Sequence, residues 1–187
     1  MRLMPFAGPR SQSAARPDPV PAARRGAALA ALFVALGGCS PQPHVAGLRD
    51  PGVPISSNAS FDAARFADVW HIAATYGDEA RCGPLAETWV PTGPAAYRVT
   101  GTTCGPQGAR AFLSEARVTG PGRITRNDEE LWVLWVDADY RVAVIGTPSG
   151  RFARVLSRTP TVRPDLMEAA RRVLAFNGYD PAALQPI

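Results

Sequence analysis

Residues 131–160 read LWVLWVDADYRVAVIGTPSGRFARVLSRTP, and this stretch decides the fold. It carries three strand signals in succession. Residues 131–136 are continuously apolar and rich in Trp and Val. Residues 141–145 are β-branched, and residues 152–156 alternate bulky with small or charged side chains. Two short turns separate them, Asp137-Ala138-Asp139 and Thr147-Pro148-Ser149-Gly150, where Asp, Pro and Gly reverse the chain at little conformational cost. The pattern predicts an antiparallel meander. It ends at Ser157-Arg158-Thr159-Pro160, because Pro160 has no amide hydrogen with which to extend a ladder.

Upstream, five further strands are predicted, at 70–76, 85–90, 97–103, 109–118 and a short 123–126. In the first, strict alternation puts Trp70, Ile72, Ala74 and Tyr76 on one face. Residues 77–83 form a polar loop. Asp62 is placed to cap a short helical turn that buries Phe61 and Phe66. Downstream, 163–177 reads as a helix. It has Pro164 and Asp165 at its start, an apolar side through Leu166, Met167, Ala170, Val173, Leu174 and Phe176, and Asn177-Gly178 as a left-handed cap. The predicted fold class is all-β: an eight-stranded antiparallel up-and-down barrel with one C-terminal α-helix packed outside. Such a barrel encloses side chains or one small ligand.

The length suits one domain with a real core. The formal charge is +4, and all basic residues are arginine. Five arginines and only Asp18 precede Cys39, whereas the remainder holds fifteen Arg against fifteen Asp plus Glu. The positive charge therefore belongs to the leader, and a nucleic-acid partner is not expected. That leader, 1–38, has Arg24-Arg25 ahead of a short apolar run at 27–36. This is the pattern of a signal peptide and is too short for a permanent span. It ends in Leu36-Gly37-Gly38-Cys39, which resembles a bacterial lipobox, with Cys39 as the acylated residue. Ser40 resembles the residue found in lipoproteins sent to the outer membrane. The competing reading is an ordinary secretory signal with an incidental cysteine. Residues 39–58, rich in Pro, Ser and Gly, are expected to be an extended, mobile tether, and 59–187 the folded domain.

Cys82 and Cys104 remain. In an exported chain they are most simply a disulfide tying one strand's start to the end of its hairpin partner, closing a loop worth about 3 kcal/mol. Two free thiols or metal ligands are the alternatives. The histidines, His44 and His71, are not near either cysteine in sequence, which argues against metal.

The chain from Phe61 to Leu184 resembles a bacterial lipocalin of the outer-membrane lipoprotein type. Three stretches carry the resemblance: Phe61-Asp62-Ala63-Ala64-Arg65-Phe66 followed by Trp70, then Asp139-Tyr140-Arg141, then Leu156-Ser157-Arg158-Thr159-Pro160. The resemblance implies that Trp70 and Arg158 stack at the closed end, a cation–π contact with a structural role. Two departures stand out. Asp68 occupies a place where the family has Gly, and the strand 123–126 with its hairpin is short, implying a shallower cup.

Strand alternation offers Tyr76, Trp89, Tyr97, Phe112, Trp135, Phe152 and Arg154 as residues lining the cup. Arg154 is the sharpest of these, since a buried guanidinium needs a partner: a ligand carboxylate or phosphate, Glu87, or Glu115. No catalytic constellation, phosphate loop or metal cluster is visible, and no cofactor is expected. Two functions follow. One is a lipid-anchored carrier of small hydrophobic or amphipathic ligands such as fatty acids or lysophospholipids, attached to the outer membrane, as a monomer or dimer. The other is an envelope interaction protein whose barrel is filled by its own side chains.

Overall fold

The computed structural model describes residues 47–187; the leader 1–38, Cys39 and His44 lie outside the described residues. Eight strands follow one another: β1 (Asp68–Thr75), β2 (Ala86–Gly93), β3 (Ala96–Gly105), β4 (Gly108–Gly120), β5 (Arg123–Arg126), β6 (Glu129–Val136), β7 (Val142–Gly146) and β8 (Ala153–Ser157). Each pairs antiparallel with the next, and β1 pairs with both β2 and β8, so the sheet closes into a barrel. Closure leaves no long free edge. The short helix α1 (Ala63–Phe66) lies before β1, and α2 (Pro164–Phe176) follows β8. A short strand not anticipated from sequence, β9 (Gln185–Pro186), pairs with Ala74 and Thr75 at the upper end of β1.

Local chemistry explains the ends of these elements. The Asp62 carboxylate accepts from the amides of Ala64 and Arg65 and so starts α1. Pro164 opens α2, and Gly178, at φ +83°, ends it. A Cβ at Gly178 would lie 3.0 Å from both the Asp50 carbonyl oxygen and Val53 Cβ, so glycine is required there by space as well as by backbone.

The apolar residues form two cores, one on each side of the wall. The interior holds Phe66, Trp70, Ile72, Trp89, Tyr97, Val99, Ile124, Leu131, Val133, Ile145 and Leu156. The second lies outside, beneath α2, and includes Ala74, Tyr76, Leu134, Val144, Val155, Leu174 and Tyr179. Strands buried on both faces read as continuous apolar runs, which is why 131–136 shows no alternation.

Two β-bulges overturn two assignments made from alternation. The β1–β8 register shifts between Ile72 and Ala74, so the faces exchange there: Trp70 and Ile72 point inward, whereas Tyr76 packs outside against the Tyr179 ring at 5.8 Å. The β6–β7 register shifts between Val133 and Trp135, so Trp135 also faces outward, toward α2. One inserted residue reverses the inside–outside phase of everything after it. Tyr76 and Trp135 are therefore not cup residues.

Residues 47–58, expected as a mobile tether, form a strap seated on the barrel. The Leu48 amide donates to Gly150 O at 2.6 Å, the Asp50 amide to Gly178 O at 2.7 Å, and the Asn58 amide to Val133 O at 2.8 Å. Arg49 is buried and donates to Asn177 O at 3.0 Å and Pro148 O at 3.2 Å. The strap lacks a hydrophobic period because loop carbonyls and one arginine hold it together with only two spaced apolar side chains, Leu48 and Ile55, that pack on the outer core.

Candidate functional site

The closed end of the barrel is filled. The Phe66 ring sits 5.1 Å from Trp70 and 5.2 Å from Trp89, and Trp89 sits 5.4 Å from Tyr97 in an edge-to-face pair. Trp70 Nε1 donates to Phe66 O at 2.8 Å, and the Tyr97 hydroxyl donates to Ala63 O. The Arg158 guanidinium lies 3.7 Å over the Trp70 ring and donates to Val69 O, Arg65 O and Tyr140 O, binding α1, β1 and the β6–β7 turn together. Asp68 takes φ +87°, a left-handed geometry that glycine adopts easily and that Asp tolerates better than most side chains. Trp89 and Tyr97, offered from sequence as ligand contacts, are buried in this floor.

Above the floor a layer of charge crosses the interior. Arg154 on β8 is 3% exposed, so its guanidinium must be paired inside the protein. It donates to Glu87 Oε1 on β2 at 2.6 Å and to Glu79 Oε2 at 2.8 Å, with a second bond to Glu79 Oε1. Glu79 belongs to the 3₁₀ turn Gly77–Cys82 and also accepts from the Thr75 hydroxyl at 2.7 Å. Glu87 additionally accepts from Trp89 Nε1 at 3.2 Å and from Arg126 Nη1 at 3.3 Å. Burial works against ionisation of Glu79, but the Arg154 hydrogen bonds and charge outweigh it and hold the carboxyl below its usual range. Burial likewise opposes the charge of Arg154, and the two glutamates more than restore it. Of the two glutamates considered as partners for Arg154, Glu87 is the one it meets. Glu115 faces solvent and pairs with Arg98 instead.

The layer spans a place where the wall parts. β1 pairs with β2 only from Asp68 to His71, and higher up it follows β8 and β9. The Arg154–Glu87 and Arg154–Glu79 pairs link β8, β2 and the 3₁₀ turn across this divergence. A disulfide joins Cys82, at the end of that turn, to Cys104 on β3, with Cα atoms 5.7 Å apart. The cystine packs on the interior core and fixes the turn that carries Glu79.

The mouth lies above the charged layer. Phe152 stands at its rim with the Arg154 guanidinium 4.6 Å from its ring. An open cleft of about 760 Å³ begins there and runs between the β5–β6 hairpin and the β7–β8 loop, lined by Asp128, Glu129, Ser149, Arg151 and Phe152 among others. Phe112 is half-buried on the inner face of β4, 5.6 Å from the Arg126 guanidinium. Among the described residues no group of three His, Cys, Asp or Glu side chains is placed to hold a metal ion. A second groove, of about 490 Å³, lies outside the barrel between Trp135, Val173 and Phe176.

The structure thus sets Arg154 beside Phe152, places Phe112 on the interior side beside Arg126, buries Trp89 and Tyr97 in the floor, and leaves Tyr76 and Trp135 outside. Sequence reasoning does not reach Glu79, which lies in a turn without periodicity. Arg126 was within reach, since it follows inward-facing Ile124 by two residues.

Comparison with known proteins agrees with this architecture. A family model described as a lipocalin-like domain matches residues 112–187. No curated protein matches the chain by sequence. Among solved structures, the siderocalin Ex-FABP, described as functioning through dual ligand specificities, is 18% identical with a TM-score of 0.53, over 66% of this chain and 93% of that one. Lobster apocrustacyanin A1 is 12% identical with a TM-score of 0.53, over 72% and 88% of the two chains. The cockroach major allergen Per a 4 is 9% identical with a TM-score of 0.58, over 74% and 95%. At these identities the likeness is one of fold.

Proposed function

Since this chain has the lipocalin fold, whose members generally bind small hydrophobic molecules, we propose that it is a binding protein for a small amphipathic ligand held at the mouth of the barrel. The observation that carries the reading is the Glu79–Arg154–Glu87 layer. It separates a side-chain-filled closed end from an open cleft of about 760 Å³ at Phe152. A long acyl chain finds no apolar shaft below that layer, so single-chain amphiphiles such as fatty acids or lysophospholipids enter only part-way. In the same proposal Cys39 is acylated after removal of 1–38, and the domain is tethered to the outer membrane, close to such lipids.

Native mass spectrometry of protein extracted from membranes tests both halves. The expected result is a 1:1 complex with a co-purifying small amphiphile, on a chain whose N-terminal mass includes acyl groups at Cys39. A second reading, a non-binding barrel serving as an envelope interaction protein, is favoured by the full burial of Trp70, Trp89 and Tyr97 in the interior. Lipid-free protein from membranes, with no uptake of added dodecanoate or lysophospholipid, would select that reading. A Cys39→Ser chain that stayed in the membrane fraction would contradict the anchor.

A further inference from the structure

The charged layer is not uniformly satisfied. Arg154 spends its donors on two carboxylates. Glu87 is engaged by Arg154 at 2.6 Å and by Trp89 Nε1. Arg126 is held more loosely: only its Nη1 reaches Glu87, at 3.3–3.4 Å, and its Nε and Nη2 meet no hydrogen-bond partner among the described residues. Its side chain is 17% exposed, and the next residues in the chain, Asn127 and Asp128, line the open cleft. Its guanidinium lies 5.6 Å from the Phe112 ring and 5.7 Å from the Trp89 ring, between aromatic faces. On the adjacent strand, Ser114 shares the inner face with Ala116, which pairs with Arg126. Ser114 is 4% exposed, and its hydroxyl is buried without a partner. An unsatisfied buried hydroxyl costs free energy unless something occupies the space beside it. Ser114 thus lies on β4 between Phe112, whose ring is near the Arg126 guanidinium, and Ala116, the residue that pairs with Arg126, so an arginine with free donors and an unpaired hydroxyl sit on neighbouring strands beside one aromatic ring.

We propose, resting on the mouth-binding reading above, that Arg126 and Ser114 form an oxyanion subsite. In it a single-chain amphiphile binds head first, its carboxylate or phosphate monoester on the Arg126 guanidinium and its tail passing outward between Phe112 and Phe152. A guanidinium offers a planar pair of N–H donors suited to either head group, and Ser114 supplies one more. Arg154 is not the head-group residue, because its fork is already filled. The polarity is the reverse of an apolar cup that takes the tail deepest, and it follows from the charge lying below the rings and not above them.

The test uses four C12 probes, dodecanoate, dodecyl phosphate, dodecanol and dodecyltrimethylammonium, titrated calorimetrically into the purified protein. Dodecanoate and dodecyl phosphate are expected to bind about tenfold or more tightly than dodecanol, and the ammonium weakest, as one charge-assisted pair provides. The ratio of dodecanoate to dodecyl phosphate affinity separates the two head groups. Arg126→Gln is expected to bring the anion-to-alcohol ratio close to one. Ser114→Ala, which removes only an unpaired hydroxyl and so keeps the fold, is expected to lower anion affinity several-fold. Arg126→Lys tests the fork at constant charge and is expected to fall between these. For orientation, 2-bromododecanoate is expected to quench the fluorescence of Trp89 more than 12-bromododecanoate does. Equal affinities for all four heads, an anion preference that survives both Arg126→Gln and Ser114→Ala, or stronger quenching by the 12-bromo probe would each overturn the proposal while leaving mouth binding intact. No binding by any probe would overturn both.

Discussion

Arg154 on β8 donates to Glu87 on β2 at 2.6 Å across the barrel interior, with both side chains out of solvent. Two charges in such a place are stable only as a set. Arg154→Met is expected to cost about 3–5 kcal/mol, because it strands Glu87 and Glu79 together. Arg154→Met combined with Glu87→Gln is expected to cost less than the sum of the single changes. Urea unfolding of the four proteins measures the coupling, and strict additivity would show that the pair acts as two independent residues.

The layer also dictates a response to acid. The folded-state pKa of Glu79 is depressed below its ordinary value of 4.5, so its contribution is present above that value and is lost as pH falls through the folded-state pKa. Asp137 is depressed as well: burial opposes its charge, but hydrogen bonds from the Val142 and Arg141 amides and from the Arg141 guanidinium prevail. Stability is therefore expected to be flat near neutrality and to decline below about pH 4.5. Glu79→Gln is expected to be less stable at pH 7 and to show a shallower acid slope. A parallel slope in thermal melts from pH 7 to pH 3 would assign the acid response elsewhere.

At the closed end, Arg158 does more than stack on Trp70. Its donations to Val69 O and Arg65 O, at 2.9 and 2.8 Å, hold α1 against β1. Arg158→Met keeps much of the side-chain volume and loses both effects, with an expected cost of about 1.5–3 kcal/mol. Arg158→Lys keeps the charge but not the fork and is expected to recover less than half of that. Full recovery by lysine would mean that charge alone matters there.

Much of the barrel was legible in the sequence because a meander with short turns has local signatures. Asp137–Asp139, Pro148–Gly150 and Pro121–Gly122 mark reversals that the structure uses, and Pro164 and Gly178 bound α2. The bulges were not legible. Nothing in Ile72-Ala73-Ala74 or Val133-Leu134-Trp135 announces an extra residue, yet each reverses the faces beyond it and carries Tyr76 and Trp135 outside. The strap was hidden for a different reason: Arg49 and its carbonyl partners are polar contacts over about 100 residues of sequence or more, and no local pattern encodes them. Arg154 reads from sequence as an inward charge in need of a partner, and the structure pairs it with Glu87; its second partner, Glu79, comes from a turn that the Cys82–Cys104 bond ties to β3 and that has no periodicity to reveal it.

That bond gives a further expectation. Replacing both cysteines by serine is expected to lower stability by about 3 kcal/mol or somewhat less, with the local loss concentrated at the 3₁₀ turn. Hydrogen exchange should show the amides of 77–83 opening first, with the amides of β6 and β7 unaffected. Uniform loss of protection would mean that the disulfide stabilises the barrel as a whole and does not specifically hold Glu79 in place.

The strap offers the last variant. Gly178→Ala places a Cβ 3.0 Å from the Asp50 carbonyl oxygen at a backbone φ of +83°. It is expected to cost about 1–3 kcal/mol and to release the Asp50–Gly178 hydrogen bond. Faster proteolysis within 47–58 reports the release; unchanged proteolysis would show that the contacts of Leu48, Arg49 and Asn58 hold the strap without that bond.

The most direct test of ligand binding at the mouth is a titration of the isotopically labelled protein with dodecanoate, followed by amide chemical shifts. The expected shifts gather at Phe112, Arg126, Phe152 and Arg154, with the Trp70, Tyr97 and Tyr140 amides unmoved. Shifts centred on Trp70, Tyr97 and Tyr140 would place the ligand below the charged layer and contradict the reading of this barrel as filled beneath its mouth.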